Sequence, residues 1–424
     1  MTVETSGPIR LRLLEEANGS FAADGSGTLG NYIGVPAIET TVKLALQTPL
    51  GAATPLQQYI DGYAEEHILP KTWTLDFSLP LATFDTRADD GVAAAQGALG
   101  RCFKIAFGDE RLGTGDTVSD AGVAATDFDV ATVARWAVGA ALGVAAGGPS
   151  GGFGVREIEA IATDNLLFKQ VFTAAPANLE DVYNCATYSL GLGGGSAVTS
   201  AQFLYEGIEL DNRFILMGGQ VSSIAFEIGP GVVPKVTFSW EGVQWFYADG
   251  SNNSADLTAS ALAAETYTND LVNVVMDSVF TVGTVGTATS PDSIALHAPT
   301  INIALALSYV KHHTPGATQT VNSWIRNHVP PVVTGSFQIP HEDQTWFTAR
   351  NDRTDHYVFY QIGSVAANGC VLLSVPKVQI TDVQPVELSG ISGQEVSWKG
   401  RHDTDWIGSG TSALRRSAFR VHMF

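Results

Sequence analysis

The sequence predicts a mainly β protein, built as two tandem units of sandwich or barrel type with a few short helices and long loops. Three observations predict it. Most patterned segments alternate apolar and polar residues with a period of two, the repeat of a half-buried strand. Those segments are rich in Val, Ile, Phe, Tyr and Trp and bounded by Gly, Pro, Asn and Asp, residues that favour strands and turns respectively. One hairpin pattern also occurs twice, in Phe214 to Gly242 and in Val371 to Gly400.

Each copy of that pattern has an apolar strand, a second strand beginning at Val221 or Val378, a turn, and a closing strand ending in Ser-Trp-charged-Gly. The Val221-to-Trp240 and Val378-to-Trp398 spacings differ by one residue, which a turn absorbs. Upstream, Phe203 to Gly207 corresponds to Val358 to Gly363. Any two antiparallel hairpins look alike, so on the sequence both duplication and chance likeness stand. Under duplication the units are residues 1–247, with an N-terminal arm and an inserted Ala/Gly-rich helix region, and residues 256–424.

In chain order, Lys71 to Pro80 puts Trp73, Leu75 and Phe77 on one face and Thr72, Thr74 and Asp76 on the other. Further strands are expected at Arg101 to Phe107, Leu166 to Thr173, Gln202 to Glu206, Arg213 to Ile228 and Pro234 to Tyr247. The second half adds Ile301 to Val310, Val332 to Ile339, Tyr357 to Ile362, Val371 to Val386 and Ala418 to Phe424. Asp127 to Leu142 predicts a helix, since it opens with acids that suit the positive end of a helix dipole and closes at Gly143. Ala255 to Ala264 and His341 to Asn351 are the other expected helices, separated by Gly-rich loops such as Gly191 to Ser196.

Composition narrows the function. The chain has 424 residues, 43 acidic and 23 basic, for a net charge of −20, so it would repel a nucleic-acid duplex rather than read one. Hydrophobic residues make up 45% and charged ones 16%, below the roughly 25% usual for soluble domains. Such a chain buries a sizeable core and leaves much uncharged surface for neighbours to cover. Charged residues between Met1 and Ser20 predict no secretory leader, and the apolar run Val130 to Gly147 contains Arg135 and is too short to span a bilayer. The expectation is a protein that is soluble when made and has no membrane partner.

Residues that carry chemistry are sparse. Cys102, Cys185 and Cys370 lie far apart, with no zinc spacing. No serine elbow, HExxH, phosphate-binding loop or EF-hand loop is present. Eight of the nine histidines fall in the second half, at 297, 312, 313, 328, 341, 356, 402 and 422, and are expected to be solvated loop residues. Asp89-Asp90 and Asp109-Glu110 are adjacent acids, whereas a glycosidase pair faces itself across a cleft. The aromatic residues alternate within strands and suit core and subunit packing. No catalytic residue, cofactor or metal is expected.

One likeness runs through the strand order. The alternating hairpin at Trp73, the Gly-Gln-Val strand at Gly219 to Ile224, VPKVTFSWEG at Val233 to Gly242, VPKVQITDVQPVELSG at Val375 to Gly390, and the terminal FRVHMF together resemble the tail tube proteins of long-tailed, non-contractile phages and related archaeal viruses. The likeness covers most of residues 70–110 and 200–424 and leaves 111–165 unaccounted for. It implies tail-tube-type sandwich or barrel units whose strands join those of neighbours in a continuous inner barrel. A closed ring also removes unpaired sheet edges.

The implied function is a non-enzymatic, major tail tube subunit that stacks in rings and forms the channel for viral DNA. Single-unit relatives form hexameric rings, so a duplicated chain is expected to need three copies. The implied partners are other copies of the chain and the tape-measure, tail-terminator and distal tail proteins, with DNA passing through unbound. The place is the virion tail, assembled in host cytoplasm. Asp76, Asp85, Asp89 and Asp90 are the candidate lumen-lining residues, because carboxylates there would repel the phosphate backbone. Acids that merely solubilise the exterior, or that reflect a salt-adapted host, fit the composition equally. The alternatives from other classes are a carbohydrate-binding or adhesin module, and a hydrolase with an unrecognised site.

Overall fold

The computed structural model describes residues 10–16, 33–47, 50–52, 66–68, 72–81, 98–111, 115–119, 126–144, 154–168, 172–190, 199–206, 213–228, 233–247, 278–284, 301–313, 321–326, 332–340, 344–362, 370–388, 390–402 and 417–423, a few positions within these runs aside. The chain is mainly β, as its alternation predicts.

The first stretch contains β1 (Arg10–Glu16), β2 (Ile33–Gly34), β3 (Lys43–Gln47), β4 (Leu50–Ala52), β5 (Glu66–Ile68), β6 (Thr72–Pro80), α1 (Ala98–Phe107) and β7 (Gly108–Arg111). A second comprises β8 (Asp116–Thr117), β9 (Asp127–Asp129), β10 (Ala141–Val144), β11 (Gly154–Ala162), β12 (Asn165–Phe168) and β13 (Asp181–Asn184). Then come β14 (Ala186–Leu190), β15 (Ser200–Glu206), β16 (Arg213–Ile228), β17 (Lys235–Gly242) and β18 (Gln244–Tyr247). The last stretch holds β19 (Ser278–Thr284), β20 (Ile301–Ala306), β21 (Tyr309–His313), β22 (Val321–Arg326), β23 (Val332–Pro340), α2 (Thr345–Asp352), β24 (Asp355–Ile362), β25 (Val371–Leu388), β26 (Ile391–Gly400) and β27 (Arg420–Met423).

Two sets of strands repeat one order of antiparallel pairing. In the first set β1 pairs with β15, β15 with β16, β16 with β17, β17 with β6 and β6 with β3. In the second, β19 pairs with β24, β24 with β25, β25 with β26, β26 with β23 and β23 with β20. A helix follows β6 in one set and β23 in the other, α1 and α2.

The long strands β16 and β25 each run through two sheets. The first part of β16 pairs with β15 and β18, the second with β17 and β20. Gly218 sits at that corner with φ 60, a backbone that side chains with a Cβ rarely adopt. Its N–H donates to Glu16 Oε1 at 2.8 Å. Trp73, Phe77, Phe203, Phe238 and Trp240 fill the space between the sheets, with Phe77 stacked on Trp240 at 6.2 Å.

Strands β8 to β13 form a separate six-stranded sheet in the order β8-β13-β10-β11-β12-β9. Its own small core includes Phe128, Trp136, Leu142, Ile158, Phe168 and Phe172. This is where the helix expected at Asp127 to Leu142 fails: the segment is strand β9, one 3-10 turn at Val133–Arg135, and strand β10. Gly139 at φ 87 breaks a right-handed helix, and Ala137, Ala140 and Leu142 are buried by this core instead.

The strand expected at Arg101 to Phe107 is likewise the body of α1. Arg101 and Lys104 are its half-exposed positions while Cys102, Phe103, Ile105, Ala106 and Phe107 are buried, a three-residue spacing that helical geometry produces. Phe103 and Phe107, one turn apart, stack at 5.5 Å. The helix expected at His341 to Asn351 is α2, ended by Arg353 in the left-handed region at φ 55. The expected helix at Ala255 to Ala264 lies outside the described residues. The strand expected at Leu166 to Thr173 is shorter, ending at Phe168, and that at Ile301 to Val310 is two strands, β20 and β21.

Candidate assembly interface

The two strand sets match residue for residue. Trp240 lies opposite Val221, and a bulge follows before Ser223 meets Ser239. Trp398 lies opposite Ile380, and a bulge follows before Asp382 meets Ser397. Across the next ladder, Leu75 faces Trp240 and Phe77 faces Phe238, while Gly335 faces Trp398 and Phe337 faces Val396. Phe203 and Leu216 are partners, as are Val358 and Val375. The counterpart of Val221 is therefore Ile380, two residues beyond the Val378 at which the sequence similarity begins.

Among the described residues, one strand pairing joins the two sets directly. The second half of β16 pairs with β20, from Ser223 opposite Ala306 to Ile228 opposite Ile301. Residue matching carries Ser223–Ile228 onto Asp382–Glu387 of β25. It carries 301–306 onto 42–47, because Ala45 faces Thr74 as Ala304 faces Thr334, with Thr74 and Thr334 equivalent. Among the described residues, β3 pairs with β6 alone, and the second half of β25 with β26 alone. The junction seen once thus has a pair of matching edges without each other as partners.

Facing residues along these ladders form a polar surface. It carries Lys43, Asp76, Ser223, Glu227, Lys235, Thr237, Ser239 and Glu241 in one set and Ser336, Gln338, Asp382, Gln384, Glu395, Ser397 and Lys399 in the other. Five of these side chains are carboxylates and three are ammonium groups, with Glu227 and Lys235 paired at 2.8 Å. Asp76, a predicted lumen-lining residue, is on this face, between Lys43 and Ser239. Asp85, Asp89 and Asp90 lie outside the described residues. Of the adjacent acids, Glu110 is tied up with Lys104 at 3.4 Å.

A second polar cluster is internal. Strand β27 lies between β14 and β25 and brings Arg420 and His422 to Glu157 of β11, all with fully buried side chains. Arg420 ion-pairs with Glu157, and the Ser374 hydroxyl donates to the same carboxylate. His422 Nδ1 is 3.0 Å from the Thr187 hydroxyl and its Nε2 is 3.7 Å from Glu157. The Cys185 thiol donates to the Ala141 carbonyl at 2.9 Å and is 3.6 Å from Thr187.

Hydroxyl, imidazole and carboxylate in this order look like a nucleophile relay, but Thr187, His422 and Glu157 have no solvent access and Arg420 already holds the carboxylate. The cluster is a staple between the inserted sheet, β14, β27 and the second strand set. Burial works against charge on His422, yet its contacts with Cys185 and Glu157 outweigh that and raise its pKa above the ordinary value. The expectation of solvated histidines is corrected for His422 and His356, both buried in strands. Burial is the first cause that lowers the His356 pKa. The alternation of Arg420, His422 and the apolar Val421 and Met423 in the last strand was the available signal.

No protein-family model matches the chain, and no curated protein matches it in sequence.

Proposed function

We propose that this chain is a structural tube subunit of a viral tail, of the long-tailed, non-contractile kind. Copies join head to tail into rings, rings stack, and the polar face lines a conduit for viral DNA. The observation that carries the reading is the β16–β20 junction. It shows one strand set extended by the next through main-chain pairing, and a head-to-tail contact of this kind repeats until it closes a ring or runs on as a filament. A chain that already contains two sets closes a six-set ring with three copies.

The wall chemistry fits passage rather than capture. Its hydroxyl and amide side chains and its excess of carboxylates over ammonium groups present no basic stripe to hold phosphates. Among the described residues the six-stranded sheet occurs once per chain, so a three-copy ring would carry three of them. Tail completion proteins and a length-setting protein are the partners this reading requires.

Negative-stain images of purified protein test it. Annular particles and stacked tubes that grow with protein concentration are the expected result. A monomer at every concentration, with binding to a glycan panel, would replace it with the adhesin reading. The large aromatics Trp73, Trp240 and Trp398 are buried and offer no platform for sugar stacking.

A further inference from the structure

We infer that residues 382–387 in the second half of β25 pair antiparallel with residues 42–47 of a second copy of this chain, in a register running from Asp382 opposite Gln47 to Glu387 opposite Val42. The inference deepens the assembly reading and rests on its premise that copies join head to tail. Its source is the chain's own junction, where Ser223 to Ile228 pair with Ala306 to Ile301. Substituting each residue by its match gives the register without adjustment: Val383 meets Leu46, Gln384 meets Ala45, Pro385 meets Leu44 and Val386 meets Lys43.

Three features of the two edges support this occupant. The segments to be paired have kindred sequences, VKLALQ at 42–47 and INIALA at 301–306, so the incoming strand resembles the one already accepted by β16. No like charges meet in this register: Lys43 falls opposite Val386 on the polar face, and Glu387 falls opposite Val42 on the other face of the sheet.

Covering differs between the sets in the same sense. Phe226 and Ile228 are 2% and 1% exposed, with Phe226 against Phe103 and Phe419, while their matches Pro385 and Glu387 are exposed. A second copy would supply the missing neighbour. Proline without an N–H and lysine on a rim are also devices that deter unspecific strand pairing, which suits edges reserved for one partner.

Cysteine cross-linking between two variants tests the register. Copies carrying Gln384→Cys are mixed with copies carrying Ala45→Cys, oxidised mildly, and imaged alongside. The native cysteines are all buried, so background is low. The expected result is a disulfide-linked pair in assembled material, with roughly tenfold less from Gln384→Cys mixed with Lys43→Cys, whose diagonal placement exceeds disulfide reach.

Equal or greater yield from the shifted mixture overturns the register. Rings without any cross-link overturn this pairing and leave the ring reading standing. Cross-linked pairs without rings uphold the pairing and remove ring closure. Neither rings nor cross-links overturns both.

Discussion

Trp240 and Trp398 hold the same station in two different strand pairs, Trp240 opposite Val221 and Trp398 opposite Ile380, each one step before a bulge. Both indoles are 1% exposed, and two residues further on each strand ends at a glycine, Gly242 or Gly400. The neighbours of these glycines are the one clear difference. A Cβ on Gly242 would lie 2.0 to 2.2 Å from ring atoms of Trp73, whose Nε1–H is fixed to the Met217 carbonyl at 3.0 Å. A Cβ on Gly400 would lie 2.9 Å from Val333.

The expected outcome is that Gly242→Ala destabilises the chain more than Gly400→Ala, at the upper end of the about 1–3 kcal/mol of overpacking or beyond it. The bulky indole cannot retreat without losing its hydrogen bond, whereas a valine shift of a few tenths of an ångström relieves the other. Thermal melts of both variants decide the order, and equal melting points would contradict the packing described.

Breaking the internal staple should be more damaging than removing it. Glu157→Gln leaves the Arg420 guanidinium buried without its counter-charge, a loss of about 3–5 kcal/mol for pairs of this kind. The double variant Glu157→Leu with Arg420→Met should recover much of that, since apolar residues of similar volume often replace a buried ion pair at little cost. Denaturant midpoints for the single and double variants check it; a double variant no more stable than Glu157→Gln would mean that the geometry, not the charge, is what β27 needs.

The raised pKa of His422 sets a direction for pH dependence. A histidine whose folded pKa exceeds its unfolded value stabilises the fold fully below about 6.5 and loses that contribution as pH rises through the folded value. The groups facing it are Glu157 from β11, Cys185 and Thr187 beside and on β14, Ser374 on β25, and Arg420 on its own strand. Hydrogen-exchange protection of Arg420–Met423, corrected for intrinsic rates, should fall on alkalinisation, and His422→Gln should flatten that response. Protection that grows with pH would contradict the assignment.

These features were unequally legible in the sequence. Alternation located β6, β16, β17 and β25, because each buries one face and a period of two leaves no other register, and the repeated hairpin pattern located β26. It misread α1, since Arg101-Cys-Phe-Lys-Ile-Ala-Phe107 is apolar enough to look like a buried strand and only the spacing of Arg101 and Lys104 betrays the helix. It misread Asp127 to Leu142 because Ala and Val runs suit either state, and Gly139 decides only through its backbone. The true match of Val221 is Ile380 and not the nearest valine, because the register across each turn, which no local pattern carries, sets which residue meets the tryptophan. Glu157, Arg420 and His422 meet through three separate strands, a long-range relation that no local pattern carries. Asp76 was placed on a polar face by alternation, and its neighbours Lys43 and Ser239 came only with the pairing.

All three cysteines should be silent toward thiol reagents in the native state. Cys102, Cys185 and Cys370 are buried, and desolvation pushes the Cys102 thiol far above its ordinary pKa, keeping it protonated and unreactive. Titration with an aromatic disulfide should release no chromophore until denaturant is added, when three equivalents per chain appear. Rapid native labelling would mean that α1 opens readily from the core formed with Phe226 and Phe238.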